Sequence, residues 1–175
     1  HLIPGIDDGV KDMESSLSLL KGMQELGYSK IITTPHILWD MYKNTNEIIL
    51  ENFALLKTAV EEAGINMEIH AAAEYFLDEH VEQLLKEKTP FLTIHKNWVL
   101  CEFSLAFPSH GLKSILFELQ VQGYQPVIAH PERYIYLKNS KEFYQMSLEI
   151  LEKSSNLVNP PEGHAFERFW YLIFN

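Results

Sequence analysis

The segment Ile128-Ala129-His130-Pro131-Glu132-Arg133-Tyr134 completes a short apolar run that begins at Pro126. It presents a histidine, a carboxylate and an arginine within four residues. The apolar run is typical of a buried strand, and polar side chains displayed just past such a strand suit a site for metal and phosphate. Taken alone, the segment is more typical of a strand end with a solvated charge pair. Evidence from the rest of the chain is needed to choose between this and a functional site.

The composition is ordinary for one soluble globular domain, and we predict a single domain over 1–175. The 175 residues are 46% hydrophobic and 22% charged, enough to bury a sizeable core. A net charge of −10 argues against nucleic acid as a partner, because duplex binding needs a field of basic residues. The single cysteine, Cys101, rules out an internal disulfide. No apolar run approaches the roughly 18 residues of a membrane helix, so we expect no membrane insertion.

Strand and helix patterns alternate along the chain. We predict strands over Ile31–Thr34, Met67–Ala71, Trp98–Cys101 and Pro126–Ala129. Helices are predicted after the caps Asp12, Thr45 and Asp78, from Leu112 to the stop at Gly123, and over Lys141–Lys153. Gly27 and Gly64 are expected to close the first two. This alternation predicts an α/β protein with a parallel sheet or barrel.

A metal-capable side chain follows each of the four predicted strands: His36, Glu74, Glu102 and His130. In parallel α/β folds the carboxyl ends of the strands converge on one mouth, where the chemistry takes place. Each residue alone is more typical of a packed or solvated side chain. Together they predict a mixed imidazole and carboxylate cluster, with His1 and Asp8 nearby in the opening loop.

Such ligands suit metal-assisted hydrolysis of a phosphate ester. Nitrogen and oxygen donors without thiolate suit Zn, Mn or Fe, and carboxylates can bridge two ions that activate water. Arg133 could hold phosphate oxygens in its planar fork. A cysteine phosphatase loop is excluded, because Phe107 stands where the arginine six residues after Cys101 would be.

Five segments then point to a known family. They are His1–Gly9, Thr33–His36, Ala73–Tyr75, Cys101–Ser104 and Ile128–Tyr134. In this order they closely resemble the PHP-family, manganese-dependent protein-tyrosine phosphatases of bacterial capsule and exopolysaccharide operons. The resemblance runs from His1 to about Leu137.

The resemblance implies a distorted TIM-like (β/α)7 PHP barrel of the α/β class, with up to three divalent ions at its mouth. The implied metal is manganese, with Fe, Zn or Mg as alternatives. The implied metal ligands are His1, Asp8, His36, Glu74, Glu102 and His130. Arg133 would be the catalytic residue that binds the substrate phosphate.

The implied substrate is phosphotyrosine, typically on the C-terminal tail of a membrane tyrosine kinase that controls polysaccharide export. The implied compartment is the bacterial cytoplasm. The oligomeric state stays open.

The sequence departs from the family pattern in two places, and these departures leave alternative functions open. The first histidine of the family's His-x-His pair would precede residue 1, and the family's late Asp-x-His motif has no match, since Asp78-Glu79-His80 belongs to a predicted helix. Residues 154–175 do not follow the family. We therefore expect a barrel that lacks its first strand and its regular C-terminal part. The alternatives are a phosphoesterase for a small molecule such as histidinol phosphate, or a truncated or degenerate relative without catalysis.

Overall fold

The computed structural model describes residues 1–107, 111–134 and 136, apart from the side chain of Glu132. These residues form two compact units. Unit 1 comprises residues 1–76 and 90–96, and unit 2 begins with residues 77–89 and resumes at residue 97. The predicted helix over Lys141–Lys153 lies outside the described residues.

Unit 1 contains two helices and four short strands. In chain order these are α1 (Met13–Glu25), β1 (Lys30–Thr33), β2 (His36–Ile37), α2 (Asn46–Glu62), β3 (Glu68–Ala71) and β4 (Glu74–Phe76). Asp12 and Thr45 accept hydrogen bonds from Ser15 N and Ile48 N, so both predicted helix caps are confirmed. Gly27 and Gly64 follow the two helices at positive φ, as their predicted role as stops requires.

The strands of unit 1 pair in parallel, β1 with β3 and β2 with β4. β1 ends within one residue of the predicted end, but His36 does not lie in a loop after it and instead opens the separate strand β2. Pro35 separates the two strands, since proline has no N–H to donate to a ladder. Glu74 likewise opens β4 rather than ending β3, and it stands in register with His36.

Unit 2 contains α3 (Glu79–Glu87), β5 (Trp98–Glu102), α4 (Leu112–Val121), β6 (Gln125–Ile128) and a 3₁₀ helix (Pro131–Arg133). The strands β5 and β6 pair in parallel, and both are almost wholly buried, as expected for parallel strands. Glu102 is the last residue of β5 rather than the residue after it. His130 follows β6, as predicted, and Cys101 is a buried core residue.

Parallel strands and interleaved helices confirm the α/β class. No helix in the described parts of the chain is long and apolar enough to span a membrane.

Candidate metal centre

The opening loop is fixed within unit 1 by backbone hydrogen bonds at His1 and Leu2. Leu2 N donates to Thr33 Oγ1 at 2.8 Å, and Ser16 Oγ donates to Leu2 O at 2.6 Å. Val10 N also donates to the carbonyl oxygen of His1. These bonds anchor the backbone at His1 to β1 and α1, so its side chain starts from a defined position.

Asp7 links the loop to β2. Its Oδ2 atom accepts a hydrogen bond from His1 Nδ1 at 2.6 Å and another from His36 N at 3.0 Å. Its Oδ1 atom accepts one from Gly9 N at 2.9 Å. The Asp7 side chain is 0% exposed, whereas that of Asp8 is 61% exposed. The adjacent aspartates therefore differ: the side chain of Asp7 is hydrogen-bonded within the protein, and that of Asp8 faces solvent.

Four of the predicted metal ligands come together in unit 1, namely His1, Asp8, His36 and Glu74. We call them the unit 1 cluster. Asp8 Oδ1 lies 3.5 Å from His36 Nε2 and 3.7 Å from His1 Nδ1, while Glu74 Oε2 lies 3.7 Å from His1 Nε2. His1, Asp8 and His36 each offer one ligand atom within 4.8 Å of the others.

The unit 1 cluster favours positive charge at His1. Burial alone would lower the pKa of His1, but the hydrogen bond to Asp7 and the carboxylate of Glu74 raise it to about 10. Burial lowers the pKa of His36, against the opposing effect of Glu74. Without a metal ion, the carboxylates therefore favour the imidazolium form of His1, whereas burial favours neutral His36. A bound metal cation would take the place of the proton on His1, because an imidazole ligand has to be neutral.

The donors and their spacing fit a divalent ion. Metal–nitrogen and metal–oxygen bonds of about 2.0–2.2 Å place neighbouring ligand atoms roughly 3.0–3.5 Å apart. The separations of 3.5 Å between Asp8 Oδ1 and His36 Nε2 and of 3.7 Å between Glu74 Oε2 and His1 Nε2 are close to this range and too long for hydrogen bonds. Imidazole and carboxylate donors suit Zn, Mn and Fe without selecting one of them.

Unit 2 brings two more of the predicted ligands together. His130 Nε2 lies 3.5 Å from Glu102 Oε1, and both side chains are largely buried. His130 adopts a left-handed backbone, with φ 33° and ψ 58°, which is uncommon for a residue other than glycine and is often found at functional sites. Arg133 ends the following 3₁₀ helix with its side chain exposed.

Two residues beside the unit 1 cluster were missed by the sequence analysis. Asp7 lies in the opening loop, where the sequence Asp7-Asp8-Gly9 favours a turn but does not reveal the bonds to His1 and His36. The buried side chain of Asn44 donates to the carbonyl oxygens of Ile6 at 2.9 Å and His36 at 2.8 Å. No sequence signal marked Asn44, because its partners lie in other segments.

The unmatched Asp78-Glu79-His80 motif is structural, as predicted. Asp78 caps α3 by accepting hydrogen bonds from His80 N and Val81 N. Its carboxylate therefore stabilises the N-terminus of α3.

The sequence matches the family described as capsular polysaccharide synthesis, CpsB/CapC, over residues 1–155. The chain belongs to the CpsB/CapC family. A tyrosine-protein phosphatase CpsB from Streptococcus agalactiae is 32% identical over 143 residues, which are 81% of this chain and 58% of that protein. The tyrosine-protein phosphatase YwqE from Bacillus subtilis is 29% identical over 133 residues, 76% of this chain and 52% of YwqE.

The fold is similar to a solved structure as well. The matching chain is one of the structures of YwqE from B. subtilis and CpsB from Streptococcus pneumoniae, which are described as metal-dependent tyrosine phosphatases. The TM-score is 0.76 at 27% identity, over 86% of this chain and 61% of that one. The chain thus spans a little over half the length of the relatives it matches.

Proposed function

We propose that this protein is a metal-dependent protein-tyrosine phosphatase. The observation that carries the proposal is the convergence of His1, Asp8 and His36 on one point in unit 1. It occurs in a chain of the CpsB/CapC family, whose relatives are named tyrosine-protein phosphatases. We further propose that the fold is a distorted PHP barrel.

We propose that six residues hold the metal ions: His1, Asp8, His36, Glu74, Glu102 and His130. The unit 1 cluster and the Glu102–His130 pair supply nitrogen and oxygen donors without thiolate. Manganese is the metal we expect, with Fe, Zn or Mg as substitutes that the donors also accept. When bound, divalent ions would supply Lewis acidity and a water of lowered pKa.

A dianionic phosphate needs positive charge to bind among the proposed ligands. The carboxylates of Asp8, Glu74 and Glu102 would repel a phosphate group unless their charge were balanced by cations. Arg133 has an exposed guanidinium three residues after His130. We propose that it binds phosphate oxygens through two parallel N–H···O bonds, which a planar fork makes and a lysine ammonium does not.

We propose phosphotyrosine in a protein as the substrate, on the C-terminal tail of a membrane tyrosine kinase that regulates capsule or exopolysaccharide synthesis. The family's description as capsular polysaccharide synthesis and the naming of its relatives as tyrosine-protein phosphatases support capsule synthesis and phosphotyrosine. The kinase and a cytoplasmic location follow from the resemblance in sequence.

The test is hydrolysis of a phosphotyrosine peptide by the full chain with added Mn²⁺. CpsB from S. agalactiae would serve as the positive control for the substrate. We expect turnover that is lost on chelation and in Arg133→Ala, but kept in Lys113→Ala, which removes an exposed cation of α4 in the same unit. Turnover that persists in excess chelator would contradict the proposal. So would a lack of turnover with Mn²⁺ under conditions in which CpsB cleaves the peptide.

A further inference from the structure

Asp7 has no metal-ligand role in the proposed site, yet it is the most completely bonded carboxylate of the opening loop. Its two oxygens accept three hydrogen bonds, one from an imidazole and two from backbone N–H groups. Its side chain is 0% exposed. Burying a carboxylate is costly unless it is paired and hydrogen-bonded, and the bonds that offset this cost also hold the partners of Asp7 in place.

The bond to His1 decides which ring nitrogen is available. Nδ1 of His1 lies 2.6 Å from Asp7 Oδ2 and is therefore occupied as a donor. Nε2 points to the other side of the ring, where Glu74 Oε2 lies 3.7 Å away. Metal-binding histidines commonly donate their second N–H to a carboxylate, which fixes the tautomer and orientation of the ring.

The same oxygen of Asp7 also accepts the backbone N–H of His36. One carboxylate atom therefore joins two predicted ligands, through the ring of His1 and the main chain of His36. The rings of these two histidines pack edge to face, with centroids 4.5 Å apart. A change at Asp7 would shift both residues relative to each other.

We propose that Asp7 is a positioning residue, which holds His1 so that Nε2 and not Nδ1 binds metal and which sets His36 beside it. The inference rests on the proposed metal site and deepens it. Asp7 and Asp8 then have different roles. Asp8 supplies an exposed carboxylate as a metal ligand, whereas Asp7 orients the ring of His1 through the hydrogen bond to Nδ1.

The test compares Asp7→Asn with Asp12→Asn in the full chain. Asp12 is a matched control, because it also lies in the opening segment and accepts a backbone N–H, from Ser15. Mn²⁺ binding is measured from the electron paramagnetic resonance signal of the free ion, and folding of the metal-free chain from urea unfolding. We expect Asp7→Asn to weaken Mn²⁺ binding about 10- to 100-fold, with no such loss in Asp12→Asn. Equal Mn²⁺ affinity in wild type and Asp7→Asn would overturn the inference.

A second measurement needs no variant to fold. In the Zn²⁺-loaded wild type labelled with ¹⁵N-histidine, we expect His1 to show a protonated Nδ1 and a metal-bound Nε2. Coordination through Nδ1 would overturn the positioning role even if the metal site itself is correct. Wild-type chain that binds neither ion would instead refute the proposed metal site, so the two failures are distinguishable.

Discussion

The side-chain amide of Asn44 donates a hydrogen bond to the backbone carbonyl of His36 at 2.8 Å. The second N–H of the same amide donates to the carbonyl of Ile6 at 2.9 Å. Asn44 therefore ties the loop that carries Asp7 and Asp8 to the strand that carries His36. Asn44 itself is buried, and its two bonds are part-buried, so they are partly shielded from water.

We predict that Asn44→Ala lowers the free energy of unfolding by about 1–3 kcal/mol, since two part-buried carbonyls lose their donor. It should also weaken Mn²⁺ binding, because the loop and β2 are no longer held together. Urea unfolding and Mn²⁺ titration measure the two effects. Asn66→Ala, at an exposed position in the same unit, should change neither. An Asn44→Ala chain as stable as wild type would show that the bonds do not brace the loop.

The local features of the fold could be predicted from the sequence. Asp12, Thr45 and Asp78 cap helices because their short polar side chains satisfy nearby backbone N–H groups. Glycines after the first two helices stop them for an equally local reason. The caps join residues two or three positions apart, and such short spacings can be read from a single sequence.

The two additional strands and the different roles of Asp7 and Asp8 could not be predicted in the same way. The register of His36 with Glu74 comes from pairing between segments almost forty residues apart. Each of the four predicted strands was found, but the first two are followed by further short strands, β2 and β4, that the sequence did not reveal. Asp7 and Asp8 are chemically identical neighbours. Only the packing of the loop against β2 shields one and exposes the other.

Gly9 offers a test of how closely the loop must approach His1. A Cβ atom at this position would overlap Cβ and the carbonyl oxygen of His1. We predict that Gly9→Ala destabilises the chain by about 1–3 kcal/mol, as crowding of a packed site does, and weakens Mn²⁺ binding by displacing His1.

The control for Gly9 is Gly22→Ala in α1, where an added Cβ meets nothing within 4 Å. Alanine is the better helix former by about 1 kcal/mol, so this variant should raise the urea midpoint while leaving Mn²⁺ affinity unchanged. If both variants shifted the midpoint in the same direction, the steric explanation for Gly9 would fail.

Arg133 is expected to act through the geometry of its guanidinium as well as its charge. We predict that kcat/KM for a phosphotyrosine peptide falls about tenfold in Arg133→Lys and about a hundredfold in Arg133→Ala, as charge-assisted hydrogen bonds of about 1.5–3 kcal/mol are lost. Inhibition by inorganic phosphate should weaken in the same order. Full retention of activity in Arg133→Lys would mean that charge alone suffices.

The C-terminus of α3 is strained, because Lys88 has a left-handed backbone with φ 55°. We predict that Lys88→Gly stabilises the chain by about 0.5–1 kcal/mol, since glycine adopts this conformation without a Cβ penalty. The reverse change, Gly64→Ala after α2 at φ 65°, should destabilise by a similar amount although nothing crowds the added methyl. Thermal unfolding measures both, and a stabilising Gly64→Ala would contradict the backbone argument.

Metal binding and folding should be coupled in this protein. The unit 1 cluster brings two carboxylates beside two imidazoles, an arrangement that a bound cation stabilises and the unfolded chain does not offer. We predict that Mn²⁺ at a hundred times its Kd raises the free energy of unfolding by about 2.7 kcal/mol. For a chain of this size that corresponds to an increase in Tm of roughly 5–10 °C. Glu74→Gln should remove much of this increase, because it neutralises a buried carboxylate of the proposed site. Glu68→Gln, at an exposed position of β3, should keep the increase.

Calorimetry with and without chelator measures the shift in Tm for each variant. An equal Mn²⁺ effect in both variants would exclude Glu74 as a ligand.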